Sequence, residues 1–98
     1  MPRWTLPALE DMRAILDYIA EDDADAAVRV AKAVDAAAGM LDKFPQLGKP
    51  GREPGTRELS PSKIPFLLVY WQGRHGVEVL RVLHERQQWP PVSEGKLP

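Results

Sequence analysis

Apolar residues recur at helical spacing in the first half of the chain and at strand spacing in the second. Leu9, Met12, Leu16 and Ile19 lie three and four positions apart, and Ala8 and Ile15 widen the same stripe. This predicts an amphipathic helix over about residues 7–21, with Pro7 in the first turn, where its missing N–H costs nothing. The acidic run Glu21-Asp22-Asp23-Ala24-Asp25 interrupts the stripe, and Asp23 or Asp25 is suited to cap a second helix. Ala27, Val30, Val34, Ala37, Leu41 and Phe44 then repeat at 3-4-3-4-3, and eight alanines between Ala24 and Ala38 add helix propensity and allow close packing. Pro45 ends this stretch. The link between the two stripes is short, which predicts an antiparallel helical hairpin.

Beyond Pro45 the pattern changes. Residues 45–56 hold three prolines and three glycines and read as a loop. Arg57-Glu58-Leu59 is strand-like, and Pro61 to Pro65 is a turn or edge. Phe66 to Trp71 is apolar on both faces, as a central strand requires. Gln72 to Gly76 forms a hairpin loop bounded by glycines, and Val77 to His84 forms the last strand. In that strand, strict alternation puts Val77, Val79, Arg81 and Leu83 on one face and Glu78, Leu80, Val82 and His84 on the other. With Arg3-Trp4-Thr5 as a short first strand, the order is β-α-α-β-β-β. This is an α+β fold, a helical hairpin packed on one face of a small antiparallel sheet.

At 98 residues the chain is one domain, expected over residues 1–91 with a flexible C-terminal tail at 92–98. There is no cysteine, which excludes disulfides, thiolate metal sites and a cysteine nucleophile. His75 and His84 lack metal-ligand spacing. No nucleophile elbow or phosphate loop is present, and the acids at 21–25 do not have calcium-loop spacing. The expectation is no metal and no cofactor. No leader and no membrane span is expected, which fits a cytoplasmic protein. The net charge of −1 conceals an asymmetry: residues 1–44 carry −4 and residues 45–98 carry +3. An anionic partner would meet the second half.

Four blocks carry a resemblance. The opening has Trp4, Ala8, Asp11, Ile15, Tyr18-Ile19-Ala20, Asp23 and Ala26-Ala27. The middle has Leu41, Pro45, Gly48, Pro50-Gly51 and Gly55-Thr56-Arg57-Glu58-Leu59. The central strand ends in Leu68-Val69-Tyr70, and the close is Val79 to His84, Arg86-Gln87 and Trp89-Pro90. In order and spacing these blocks, running from residue 4 to about 91, resemble the RelE/ParE superfamily of toxins from bacterial type II toxin–antitoxin modules, with the ParE-like branch favoured. The resemblance implies a growth-inhibiting toxin neutralised by a cognate antitoxin in a hetero-oligomer. It offers two targets: ParE-like members act on DNA gyrase, and RelE-like members are ribosome-dependent mRNA endoribonucleases. A third alternative is a non-toxic interaction module.

Metal-independent RNA cleavage needs general acid–base groups and stabilisation of phosphate charge. The candidates are Arg57, Arg81, His84 and Arg86. In RelE-like enzymes an arginine recurs just before the Leu-Val-Tyr block, where this chain has Leu67. RelE itself also carries a basic pair in the preceding strand and a tyrosine in a C-terminal helix. Here the corresponding segment is Thr56-Arg57-Glu58-Leu59, and the tail has no tyrosine. Arg81, between apolar neighbours, is equally suited to pair with Glu58 or another acid, and Arg57 and Glu58 to make cross-strand pairs. A toxin that acts by binding needs surface anchors instead, and Trp71, Arg86 and Trp89 are the candidates for target or antitoxin contact. Trp89 is also suited to fold back over the sheet.

Overall fold

The computed structural model describes residues 2–87 and 89. Its elements are β1 (Arg3–Trp4), α1 (Leu6–Asp22), α2 (Ala24–Met40), β2 (Lys49–Pro50), β3 (Arg57–Leu59), β4 (Phe66–Gly73) and β5 (Gly76–His84). The five strands form one sheet in the order β1-β5-β4-β3-β2, and the α+β architecture is the expected one. The expected tail, residues 92–98, and the domain end at residue 91 lie outside the described residues.

One residue turns the helical hairpin. The Asp23 N–H donates to the Ile19 carbonyl and closes α1, while its Oδ1 accepts the Ala26 N–H at 3.0 Å and opens α2. Thr5 caps α1 by accepting the Ala8 N–H, and Pro7 occupies the first turn. α2 buries Ala27, Val30, Val34 and Ala38. The chain leaves the helix at Leu41, so Phe44 does not continue the stripe and is 51% exposed.

Two features depart from the simple strand reading. The loop over residues 45–56 contains a two-residue strand, with Lys49 opposite Glu58 and Pro50 opposite Arg57. It sits at the sheet edge, where a proline is tolerated. At the other edge β1 runs parallel to β5, with Arg3 opposite Glu78 and Trp4 opposite Val79. The sheet is therefore mixed rather than wholly antiparallel. A parallel neighbour needs a long crossover, and here the helical hairpin and the rest of the sheet lie between the two strands in sequence.

The β4–β5 pairing changes register. Val69 lies opposite Arg81 but Tyr70 lies opposite Val79, so Leu80 has no partner on β4. A bulge of this kind breaks the alternation of faces. It corrects the strict face assignment for β5: Val77, Val79 and Val82 all pack in the helix-side clusters with Leu68 and Tyr70. Leu67, Val69 and Leu83 form a separate cluster with Trp89 on the other face.

Candidate functional site

The α1–β5 junction sets the position of Arg81. Arg81 Nε donates to Asp11 Oδ2 at 2.6 Å and Nη2 donates to Oδ1 at 2.9 Å. The same Oδ2 accepts the Val82 N–H at 3.0 Å. Nearby, the Thr5 N–H donates to the Val79 carbonyl at 3.0 Å and the Thr5 hydroxyl to the Leu80 carbonyl at 2.9 Å. The start of α1 thus stands in for a neighbouring strand beside the bulge, where the two-residue β1 has ended. The Asp11 hydrogen bond raises the Arg81 pKa above its ordinary value; burial acts against this and the charge of Asp11 adds to it. The acid partner of Arg81 is Asp11, not Glu58.

Glu58, 3% exposed, faces a different base. Its Oε2 accepts the Arg52 N–H at 3.0 Å and its Oε1 the Arg52 guanidinium at 3.2 Å. The loop between β2 and β3 is thereby tied to the sheet, and the Thr56 hydroxyl donates to the Glu53 carbonyl within it.

Arg57 lies on the helix side of the sheet, opposite Tyr70 in the middle of β4. Its Nη1 donates to the Gly48 carbonyl at 2.7 Å. The Gly48 N–H donates to the Tyr70 hydroxyl at 2.8 Å, and that hydroxyl donates to the Pro45 carbonyl at 2.9 Å. Arg57 and Tyr70 therefore hold the chain segment that follows α2. A side chain at Gly48 has no room, because its Cβ would lie 2.7 Å from the Glu58 carbonyl oxygen.

His84 lies opposite Phe66, and the two rings meet edge to face at 5.5 Å. Its Nδ1 accepts the Arg86 N–H at 3.0 Å, so the neutral ring carries its proton on Nε2. The Arg86 side chain is exposed.

These four candidates do not converge. Arg57 sits at the Tyr70 position and His84 at the Phe66 position, a separation of roughly 13 Å along the strand. They also lie on strands flanking β4 on opposite sides. Arg81 faces away from both, opposite Val69. Only His84 and Arg86 are neighbours, through a turn. Among the described residues no group of histidines and acids is arranged to hold a metal ion, and no helix is long and apolar enough to cross a membrane.

The tryptophan candidates occupy different settings. Trp71 is 42% exposed, and its indole donates to Glu78 Oε1 at 2.7 Å. Trp89 packs against Leu67, Val69 and Leu83, with the Arg81 guanidinium carbon 5.5 Å from its ring centroid. Its indole N–H is buried with no acceptor among the described residues, a deficit of about 1–3 kcal/mol. Sequence reasoning did not single out Asp11 as the partner of Arg81, since its helical position resembles that of any solvated acid. It named Glu58 as a pairing acid without its partner Arg52 or its burial, which depend on the loop folding over it.

A groove of about 540 Å³ opens where the helical hairpin meets the β3–β4 connection. Ile15, Tyr18, Ile19, Val30 and Phe66 make it mostly apolar, with His84 at its margin. Tyr18 is 75% exposed there.

The model of the ParE toxin of type II toxin–antitoxin systems, parDE, matches residues 3–89. This chain belongs to the ParE toxin family. A Sinorhizobium fredii (strain NBRC 101917 / NGR234) protein named "Putative toxin Y4kP" is 46% identical over 90 residues, covering 92% of this chain and 93% of that one. The solved structure titled "Chromosomal ParDE TA system from P. aeruginosa" has the same fold, with a TM-score of 0.75 at 24% identity, over 84% of this chain and 91% of that chain. Within the RelE/ParE resemblance the chain is thus on the ParE side, a ParE-type toxin of a type II toxin–antitoxin system.

Proposed function

We propose that this ParE-type toxin inhibits growth in the cytoplasm by binding DNA gyrase, without a catalytic set of its own, and that a cognate antitoxin neutralises it. The observation that carries this reading is the scatter of the polar candidates. The Arg57 guanidinium is committed to the Gly48 carbonyl and that of Arg81 to Asp11. His84 lies apart from both on the sheet. A phosphoryl-transfer site needs donors and an acid–base group aimed at one point, whereas an inhibitor that binds needs exposed anchors. Trp71 and Arg86 are exposed.

The antitoxin reading is supported by the groove beside Tyr18. An amphipathic helix laid into such a groove buries apolar side chains at helical spacing. The edges at β1 and β2 are short, and Pro50 blunts the second, so a groove-bound segment is favoured over a long added strand.

Expression of the chain without antitoxin tests the proposal, with growth, an SOS reporter and mRNA integrity read on one culture. Arrest with SOS induction and intact mRNA is expected. Arrest with codon-associated mRNA cleavage and no SOS signal would replace it with the endoribonuclease reading, for which the His84–Arg86 pair is the nearest candidate. Folded protein without arrest would leave an interaction module.

A further inference from the structure

We infer that Trp89 is a two-position contact residue: stored on the sheet in the free chain, and released to a protein partner that offers its indole an oxygen acceptor. The inference rests on the proposal that this toxin acts through its surface. Three observations lead to it. Leu67, Val69 and Leu83, at most 4% exposed, lie on the sheet face opposite the helices, and Trp89 is the residue described against them. Arg81, oriented by Asp11, lies beside the indole ring, so stacking and apolar contact hold Trp89 there. Yet the indole N–H is buried without an acceptor among the described residues, and a buried donor in that state opposes docking.

Ring contacts thus favour the stored position and the N–H disfavours it. The two other tryptophans differ: the Trp71 indole has Glu78 as its acceptor, and the Trp4 indole is not among the buried unsatisfied groups. A partner surface with an apolar pocket beside a main-chain carbonyl or carboxylate supplies what the stored position lacks. Tryptophan carries much of the energy in such contacts, and a partner gains affinity only from the difference between its contact and the stored one.

The test separates the ring from its N–H in the full-length chain. Trp89→Phe keeps a ring for the sheet face and removes the orphan donor; Trp89→Ala removes both. Thermal unfolding, binding of an apolar fluorescent dye and growth arrest are measured for both variants and the wild type. Trp89→Phe is expected to unfold at or above the wild-type temperature and bind no more dye, while its growth arrest weakens about tenfold at equal soluble level. Trp89→Ala is expected to bind more dye. A merely structural tryptophan predicts the reverse, Trp89→Phe unfolding earlier with arrest unchanged at equal soluble level, and either result overturns the inference. The variants are compared on growth arrest, so a wild type that arrests growth without inhibiting gyrase sinks the gyrase assignment alone. A folded wild type that arrests nothing sinks both.

Discussion

Asp11 and Arg81, 70 residues apart in sequence, are joined by two parallel hydrogen bonds of 2.6 and 2.9 Å. The pair fastens α1 to β5 at the place where the bulge removes regular pairing, and the Asp11 carboxylate also serves the Val82 N–H. Bidentate geometry makes this pair stronger than a surface ion pair. Asp11→Ala removes both functions and leaves the Arg81 charge and the Val82 N–H without their partner. The expected cost is about 2–3 kcal/mol, read in thermal unfolding as a fall of about 10 °C or more.

The pH dependence of this junction has a definite sign on the alkaline side. Asp11 holds the Arg81 pKa above its ordinary value. A raised folded pKa gives stability that is present below the unfolded pKa and lost only as pH rises through the folded one. For arginine that window lies beyond ordinary alkaline buffers. The stability gap between wild type and Asp11→Ala should therefore stay constant from about pH 7 to about pH 10. A gap that closes in this range would show that Arg81 is not the group that Asp11 stabilises.

Tyr70 and Gly48 form a second junction. Tyr70→Phe strands the buried Gly48 N–H and the Pro45 carbonyl, at an expected cost of about 1–3 kcal/mol with the ring packing retained. Gly48→Ala pushes a Cβ against the Glu58 carbonyl and the Tyr70 ring, costing about 1–3 kcal/mol by overpacking. Denaturant unfolding of the two variants and of the double variant should show less than additive losses, since both act on one contact.

Glu58→Ala should loosen the loop over residues 51–56 while the helical hairpin stays intact. The buried carboxylate holds both the Arg52 N–H and its guanidinium. Amide hydrogen exchange is expected to speed up at Arg52 and not along α1 or α2. Uniform acceleration across the chain would mean that Glu58 supports the whole fold.

His84→Gln separates the two modes of toxicity. On the gyrase reading, growth arrest stays within about twofold of wild type at equal soluble protein, because the ring contributes packing against Phe66 and a turn contact to Arg86. Abolished arrest with the fold retained would restore His84 as an acid–base group.

Local chemistry made much of this protein legible. The 3.6-residue stripes announced both helices, and Asp23 between them announced the cap that turns one into the other. The continuous apolar run from Phe66 marked the central strand, and Gly73 and Gly76 marked its hairpin; Gly76 takes a φ of +112°, where a side chain is strained. Candidate residues were also legible one at a time, as a late histidine, arginines among apolar neighbours and a tryptophan near a proline.

Their spatial relations were not. An aspartate on an amphipathic helix looks the same whether it meets water or Arg81, and the choice was made by α1 crossing the free edge of β5. The bulge at Leu80 put Val82 rather than Leu83 beneath the helices, something strict alternation cannot anticipate. Trp89 acquired its sheet face and its unpaired N–H only once β4 and β5 had paired. By itself the sequence determined the two helices and the strands β3, β4 and β5, because periodicity, capping and turn residues act over a few neighbours, but not the edge strand Lys49–Pro50 or the end of α2 at Met40. The tertiary structure alone decided which charges are spent on structure, because pairing and burial depend on residues that the chain brings together from far apart.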